Sequence, residues 1–294
     1  MAQAMFLAGI LAIILALFCD SLKRFLAALL AARPVLLWLA PLALSAIFTA
    51  ASLMVGAASW PLTLVVLAYT AAPTLCAASL GPARAPRPHA LDFAAILLLW
   101  LPIELNAAKA LVPGAARGFL HSVAYGVAIL LGLTIFLLFR GFLGLKYNLP
   151  RGAADGWLPP AGYVIVVPVL MALGIALGFI PFPHLPHAPA PRMASAAGLI
   201  FAGTALPEET LFRALIQNLI LQRWGQTTAG LAAASAIFGC AHLNNGPQPL
   251  PNWRYAMLAT IAGFAYGKVF QKSRSIVSPA LLHTMVDWTK HFFF

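Results

Sequence analysis

Acidic residues are scarce in this chain. Only 7 of its 294 residues are Asp or Glu, and charged residues of both signs make up 9%. Hydrophobic residues account for 62%, and the mean hydropathy is +0.91. A water-soluble domain of this length has too few polar groups at that composition to cover its surface. The composition therefore excludes a soluble protein and is typical of a helical membrane protein.

Cysteine is also rare, with only Cys19, Cys76 and Cys240 in the chain. No two of them have the C-x-x-C spacing of a metal or redox site. Each lies in or at the edge of an apolar run, so we expect three small buried side chains without a function in catalysis.

Basic residues outnumber acidic ones and give a formal net charge of +11. They form no patch of the kind that binds nucleic acid, so nucleic acid is not an expected partner. They lie in short gaps between apolar runs, and most of them fall on one side if the N-terminus is outside. The expected surroundings are the lipid bilayer of a cell membrane (inner or plasma membrane).

Ten apolar segments approach the length of about 20 residues that a transmembrane helix needs. They lie at residues 4–19, 35–57, 60–81, 91–106, 118–140, 159–182, 193–222, 227–245, 254–271 and 276–293. Basic residues follow the first segment and do not precede it, which predicts a span and not a cleaved signal peptide. The predicted fold class is all-α, a polytopic transmembrane helix bundle with about 8–10 spans.

Three acidic residues lie inside these apolar helices: Glu208, Glu209 and Asp287. A charge in the bilayer core costs at least about 2.5–3.5 kcal/mol and usually marks a functional site. Arg213 follows Glu209 by four residues, so the two share a helix face and are predicted to form an ion pair. Glu208 points about 100° away around the helix, which leaves it free to face the bundle interior.

The other acidic residues, Asp20, Asp92, Asp155 and Glu104, lie at segment edges or in a loop. There we expect their charges to cost little. Glu104 is interpreted as an edge residue, with a position in a cavity as the alternative.

Two histidines, His242 and His283, lie within or at the end of later apolar segments. A lone histidine on such a helix is more often a packing residue than a catalyst, but a pair of glutamates one helix earlier favours a shared site. Asp287 follows His283 by four residues, so its carboxylate is placed to orient the imidazole.

A glutamate and a histidine on neighbouring helices can activate a water as general bases for attack on a peptide carbonyl. A second histidine and a hydrogen-bonding residue can then stabilise the oxyanion. No cofactor is certain. The sequence leaves open whether Glu208, His242 and His283 instead hold a divalent metal such as zinc.

Several alternatives lack their signatures. The chain has no H-E-x-x-H zinc motif, no G-x-S-x-G elbow and no Gly-x-Gly-Asp. A transporter would be indicated by inverted repeats with broken helices, which we do not find. Four scattered aspartates also exclude a prenyl-transfer enzyme with aspartate-rich motifs.

Three motifs follow one another in the second half of the chain. They are Glu208-Glu209-Thr210-Leu211-Phe212-Arg213, Phe238-Gly239-Cys240-Ala241-His242 and His283-Thr284-Met285-Val286-Asp287. In this order, with the run from Gly263 to Gly267 between the last two, they resemble the CPBP intramembrane proteases, also called the ABI family (CAAX prenyl proteases and bacteriocin-processing proteins). The resemblance covers about residues 193–290. We therefore assign a catalytic core to residues 191–294, and residues 1–190 are transmembrane helices of unknown role.

The resemblance implies an intramembrane endopeptidase acting on protein or peptide substrates, either CAAX-type or other peptide precursors. Glu208 and His242 would activate the water, His283 and Asp287 would bind the oxyanion, and Glu209 and Arg213 would support them. The family often has Asn where this chain has Asp287, and an aspartate donates a hydrogen bond only when protonated. The alternative is a non-proteolytic membrane scaffold or bacteriocin-immunity protein on the same fold.

Overall fold

The computed structural model describes residues 1–246 and 248–294, and within them the regular elements are all helices. The predicted all-α fold is therefore confirmed. The chain divides into two compact units, Met1–Leu145 and Lys146–Phe294. The boundary predicted between residues 190 and 191 concerns function, and it stays a prediction.

In the first unit, α4 packs against both α3 and α5, and α6 packs against α1 and α3. The α-helices are α1 (Ala2–Ala16), α2 (Asp20–Ala32), α3 (Leu39–Met54), α4 (Trp60–Leu80), α5 (Ala90–Glu104) and α6 (Arg117–Gly132), which continues as a π-helix over Leu133–Phe139. Helix α4 begins where the Ser59 hydroxyl accepts a hydrogen bond from the Leu62 amide. Pro61 fits the first turn because no partner is needed there for its missing amide hydrogen.

Four helical segments of the described chain are long and apolar enough to cross a bilayer: Pro34–Met54, Trp60–Leu80, Gly114–Phe139 and Ala153–Ala176. Helices α1 and α2 would form a fifth if the pair, which is bent by 82°, were one span. A polytopic membrane protein is confirmed at this level, and the larger count of 8–10 spans stays a prediction.

The outer surface is rich in large apolar side chains, among them Leu42, Trp60 and Ile165. Patches of this kind are rare on soluble monomers and fit a surface covered by lipid. The same surroundings explain why the expectation of three buried cysteines is wrong. Cys19 and Cys240 are exposed and Cys76 is half-buried, because in a bilayer a small apolar side chain can face lipid without cost.

Asp92 lies at a segment edge as predicted, in the first turn of α5, but its charge is not in the exposed surroundings that would make it cost little. Asp92 is buried, and its two carboxylate oxygens accept hydrogen bonds from Arg140 Nε at 2.9 Å and Nη2 at 3.3 Å. Arg140 is itself buried and also donates to the Gly81 carbonyl. The two charges tolerate burial because they neutralise each other through a bidentate contact.

In the second unit, one helix is continuous from Ala190 to Trp224 through alternating α and π segments. The elements are α7 (Ala153–Ala176), α8 (Ala190–Ile200), α9 (Leu206–Glu209), α10 (Asn218–Trp224), α11 (Thr228–Cys240), α12 (Trp253–Lys272) and α13 (Val277–Phe293), with π segments at Phe201–Ala205 and Thr210–Gln217. Helix α12 packs most closely against α11 and also touches α7 and α13.

Glycines allow α11 and α12 to approach each other. A Cβ at Gly239 would lie 2.5 Å from the Ala256 carbonyl oxygen, and one at Gly263 would lie 2.9 Å from Phe238 Cδ1. At Gly267 a Cβ would lie 2.5 Å from Gln217 Oε1, whose amide nitrogen donates to the Gly267 carbonyl. The spacing of Gly263 and Gly267 thus serves close helix packing.

Two charged side chains, Asp155 and Lys146, hold the loop before α13 in place. Asp155 is fully buried and accepts from the backbone amides of Arg151 and Arg274, which corrects its assignment as a low-cost edge residue. The Lys146 ammonium donates to three carbonyls at the end of α12, including Phe270 and Ser273, and burial lowers the pKa of Lys146. These bonds fix the start of the helix that carries His283.

Candidate functional site

A widened helix presents the two glutamates. Pro207 has no amide hydrogen to donate to the preceding turn, and the chain around it opens into π turns on both sides of Leu206–Glu209. Such π segments inside α-helices are frequent at functional sites. Glu208 and Glu209 follow the proline directly, so two adjacent carboxylates leave the helix in different directions.

Glu209 is completely buried and holds two partners at once. Its Oε2 accepts from Arg213 Nε at 2.9 Å, so the ion pair predicted from their spacing forms. Its Oε1 lies 3.0 Å from His283 Nδ1 on α13. The carboxylate therefore joins its own helix to the histidine helix, and both of its oxygens are engaged.

Arg213 is also fully buried. Its guanidinium carbon lies 4.6 Å from the centre of the Phe238 ring and 5.9 Å from that of Tyr266. Nη1 and Nη2 have no hydrogen-bond partner among the described residues. Arg213 is thus stabilised by Glu209 and by the faces of two aromatic rings, a weakly hydrated arrangement that suits arginine better than lysine.

His242 lies just after α11, in the turn that follows Cys240. Its Nδ1 lies 2.8 Å from the carbonyl oxygen of Phe238. Since a carbonyl oxygen only accepts, Nδ1 must carry the hydrogen, and Nε2 keeps its lone pair while the ring is neutral. The ring is held edge to face between Phe238 at 4.8 Å and Tyr255 at 4.6 Å.

His283 is buried and has a carboxylate on each side. Nδ1 faces Glu209, and Nε2 lies 3.4 Å from Asp287 Oδ2 and 4.0 Å from Glu208 Oε2. The contact with Asp287 is longer than the usual 2.7–3.2 Å of an N–H···O bond. The Tyr266 ring stacks on the imidazole at 4.7 Å. His283 is therefore held firmly through Nδ1 and loosely through Nε2.

These side chains line one cavity of about 120 Å³ in the second unit. Its polar lining includes Glu208, His242, His283 and Asp287, and its apolar lining includes Leu170, Met171 and Leu258. The Glu208 side chain is 23% exposed, and its Oε2 atom is buried without a hydrogen-bond partner among the described residues. The structure thus brings together four predicted site residues around one space, and Glu209 with Arg213 lies behind them.

The possible metal ligands named from the sequence do not form a metal site in this arrangement. Among residues 1–246 and 248–294, no three His, Cys, Asp or Glu side chains are placed to hold an ion. His283 has carboxylates beside both of its ring nitrogens, Glu209 at Nδ1 and Asp287 with Glu208 at Nε2.

Sequence reasoning did not identify three further side chains around the cavity: Tyr255, Tyr266 and Lys290. Tyr255 packs on His242, and the Lys290 ammonium lies over the Tyr255 ring at 4.5 Å. Tyr266 was available as a signal, because it lies within the Gly263–Gly267 run. Lys290 lies near the end of the last apolar segment, where a basic residue is common and gives no signal of a site.

One comparison with known proteins matches part of the second unit. The family model described as "Type II CAAX prenyl endopeptidase Rce1-like" matches residues 189–289. This range contains the three motifs and confirms the resemblance predicted from them. No curated protein and no solved structure was found to match the chain. The match supports a protease of the membrane for this part of the chain.

Proposed function

We propose that this protein, with residues 189–289 similar to the type II CAAX prenyl endopeptidases, is an intramembrane endopeptidase that uses a water activated by Glu208 and His242. Its substrates would be membrane-associated proteins or peptides with CAAX-type or similar C-terminal segments. The observation that carries the proposal is that two adjacent glutamates have different contacts. Both oxygens of Glu209 are engaged by Arg213 and His283, whereas Glu208 lines the cavity and its Oε2 accepts no hydrogen bond from a described residue.

The position of Glu208 beside the cavity supports its role as the general base. A carboxylate with a free oxygen beside a cavity can accept a proton from water and later deliver it to the leaving amine. His242 assists because its Nδ1 hydrogen is committed to the Phe238 carbonyl, which leaves the Nε2 lone pair for the same water. A water held between two acceptors directs an oxygen lone pair at the scissile carbonyl.

The surroundings of His283 support its role as the hydrogen-bond donor to the oxyanion. Carboxylates beside both ring nitrogens allow each nitrogen to carry a proton, and the long 3.4 Å contact to Asp287 leaves the Nε2 hydrogen available. A fixed donor in a low-dielectric cavity stabilises the developing charge most effectively. Glu209 keeps the ring in place through Nδ1, and Asp287 guides Nε2. We propose this orienting role for Asp287 in place of direct oxyanion binding.

A cleavage assay with the full chain in lipid vesicles tests the proposal. A prenylated CAAX peptide would be incubated with wild type, Glu208→Gln, His242→Ala and His283→Ala, with and without a chelator. We expect losses of about 100-fold or more in all three variants and no effect of the chelator. Glu104→Gln is the matched control, because Glu104 is a half-buried carboxylate of the other unit that accepts from Trp100.

If Glu208→Gln remains active, the proposed mechanism is wrong. If the chelator abolishes activity, the reaction requires a metal. A wild type that binds the peptide without cleaving it would favour the alternative of a non-proteolytic scaffold or immunity protein on the same fold.

A further inference from the structure

A single cation stands at the opening of the catalytic cavity. Within residues 1–246 and 248–294, Lys290 is the one Lys or Arg side chain that lines this cavity or the adjoining outer recess. The recess has a volume of about 470 Å³ and shares Phe179, Tyr255 and Asp287 with the cavity. Because Lys290 borders both spaces and is exposed, a substrate that reaches the cavity through the recess passes its ammonium group.

The ammonium is positioned by aromatic rings. Lys290 Nζ lies 4.5 Å from the centre of the Tyr255 ring and 4.9 Å from that of Phe179, and these two rings lie 5.1 Å apart. Within the described chain Lys290 forms no ion pair with a carboxylate within 4.0 Å. Cation–π contacts hold an ammonium in place without neutralising it, so its charge remains available to an incoming anion.

The carboxylate of Asp287, which lines the same spaces as Lys290, contacts His283. Its Oδ2 lies 3.4 Å from His283 Nε2, and it belongs to the site that handles the scissile bond. Asp287 lines both spaces, so its negative charge opposes an anion on the side of Lys290 that faces Asp287. The His291 ring lines the recess together with Lys290. An anion is therefore expected at the outer side of Lys290.

The spacing along α13 indicates which anion this is. Lys290 follows His283 by seven residues, which is about 10.5 Å along the helix. Three residues of extended chain span at most about 10–11 Å. A peptide whose scissile carbonyl lies at His283 would therefore bring a carboxylate three residues further on to the level of Lys290. In a C-a-a-X segment three residues follow the modified cysteine.

We propose that Lys290 binds the free C-terminal carboxylate of the substrate and so selects peptide bonds about three residues from a chain end. This inference rests on the proposed function and adds a residue that determines where the chain is cut. Lys290 is a binding residue here, because it contacts the substrate carboxylate both in the bound state and in the transition state. Removing this contact is expected mainly to raise KM.

The test compares two farnesylated peptides ending in Cys-Val-Ile-Met, one with a C-terminal carboxylate and one with a C-terminal amide. A third peptide carries three additional residues. With the wild-type full chain in vesicles we expect kcat/KM for the acid to exceed that for the amide by about 10-fold or more, the range of a charged hydrogen bond. The extended peptide is expected to be as poor as the amide.

Lys290→Met is expected to bring the ratio of acid to amide close to one, and Lys290→Arg is expected to keep it. The ratio is insensitive to a general loss of active protein, because both substrates lose alike. Lys268→Met is the matched control, since Lys268 also lies over an aromatic ring, Phe264 at 5.5 Å, but does not line the cavity. An unchanged ratio in Lys290→Met, or no preference in wild type, would overturn the inference.

A binding measurement tests this inference independently of the proposed function. Fluorescence anisotropy of the labelled acid and amide peptides on Glu208→Gln and on Glu208→Gln with Lys290→Met requires no cleavage. A preference for the acid that disappears with Lys290 supports the carboxylate site even if no hydrolysis is found. Equal binding of acid and amide overturns it even if the peptides are cleaved.

Discussion

The roles of the two adjacent glutamates, Glu208 and Glu209, can be distinguished by making the same substitution at each position. Glu209→Gln removes the negative charge that Arg213 and His283 share, while the shape of the side chain is kept. Glutamine offers one carbonyl oxygen and two N–H donors. One of the two native donors would then face another donor, and the fully buried Arg213 charge would lose its counter-ion.

Removing one partner of a buried ion pair costs about 3–5 kcal/mol. We expect the free energy of unfolding of Glu209→Gln to fall by that amount. Glu208→Gln should show no fall, because Glu208 Oε2 has no hydrogen-bond partner among the described residues. Hydrolysis should show the opposite pattern in protein that remains folded, with Glu208→Gln losing about 10²–10⁴-fold through its missing general base.

A denaturant titration in detergent micelles gives the stability, and peptide hydrolysis in vesicles gives the activity. The double variant Glu209→Gln with Arg213→Met serves as a control, because it leaves no buried charge and should recover part of the lost stability. Equal losses of stability at positions 208 and 209 would refute the division of roles, as would full activity of Glu208→Gln.

Two further predictions concern packing and the last motif. Gly239→Ala should destabilise the protein by about 1–3 kcal/mol through overpacking, since the new Cβ would lie 2.5 Å from the Ala256 carbonyl oxygen. Gly203→Ala, with open space at its Cβ, should be neutral or stabilising in the same thermal unfolding measurement, and equal losses in both would contradict this account of helix packing. Asp287→Asn should keep at least about a tenth of the activity, because an amide can still accept from His283 Nε2 and can donate to the oxyanion. Asp287→Ala should lose clearly more than Asp287→Asn in the same hydrolysis assay, and an equal loss in the two variants would exclude the orienting role.

Local spacing accounts for the contacts that could be predicted. Glu209 with Arg213, and His283 with Asp287, are separated by four residues within helices, so helix geometry alone places each pair on one face. Both contacts are present, at 2.9 Å and 3.4 Å. The roles assigned to these residues in catalysis stay predictions.

Contacts between distant segments could not be predicted in the same way. Asp92 and Arg140 are 48 residues apart in the chain, yet they form a buried pair. Lys290 looked like a charge near the end of a span, where basic residues are common. Its place beside Tyr255 and Phe179 depends on three different elements meeting, which no periodicity in the sequence encodes.

The sequence by itself determined that this protein is helical and lies in a membrane, because its apolar content leaves no other solvent for its surface. It also predicted Glu208, His242, His283 and Asp287 as site residues, since charged residues in apolar helices are costly, and these four side chains line one cavity. Only the tertiary structure decided which glutamate is free. Glu208 and Glu209 are chemically identical neighbours, and the difference arises because α13 brings His283 Nδ1 to Glu209, whereas Glu208 Oε2 accepts no hydrogen bond from a described residue and lines the cavity.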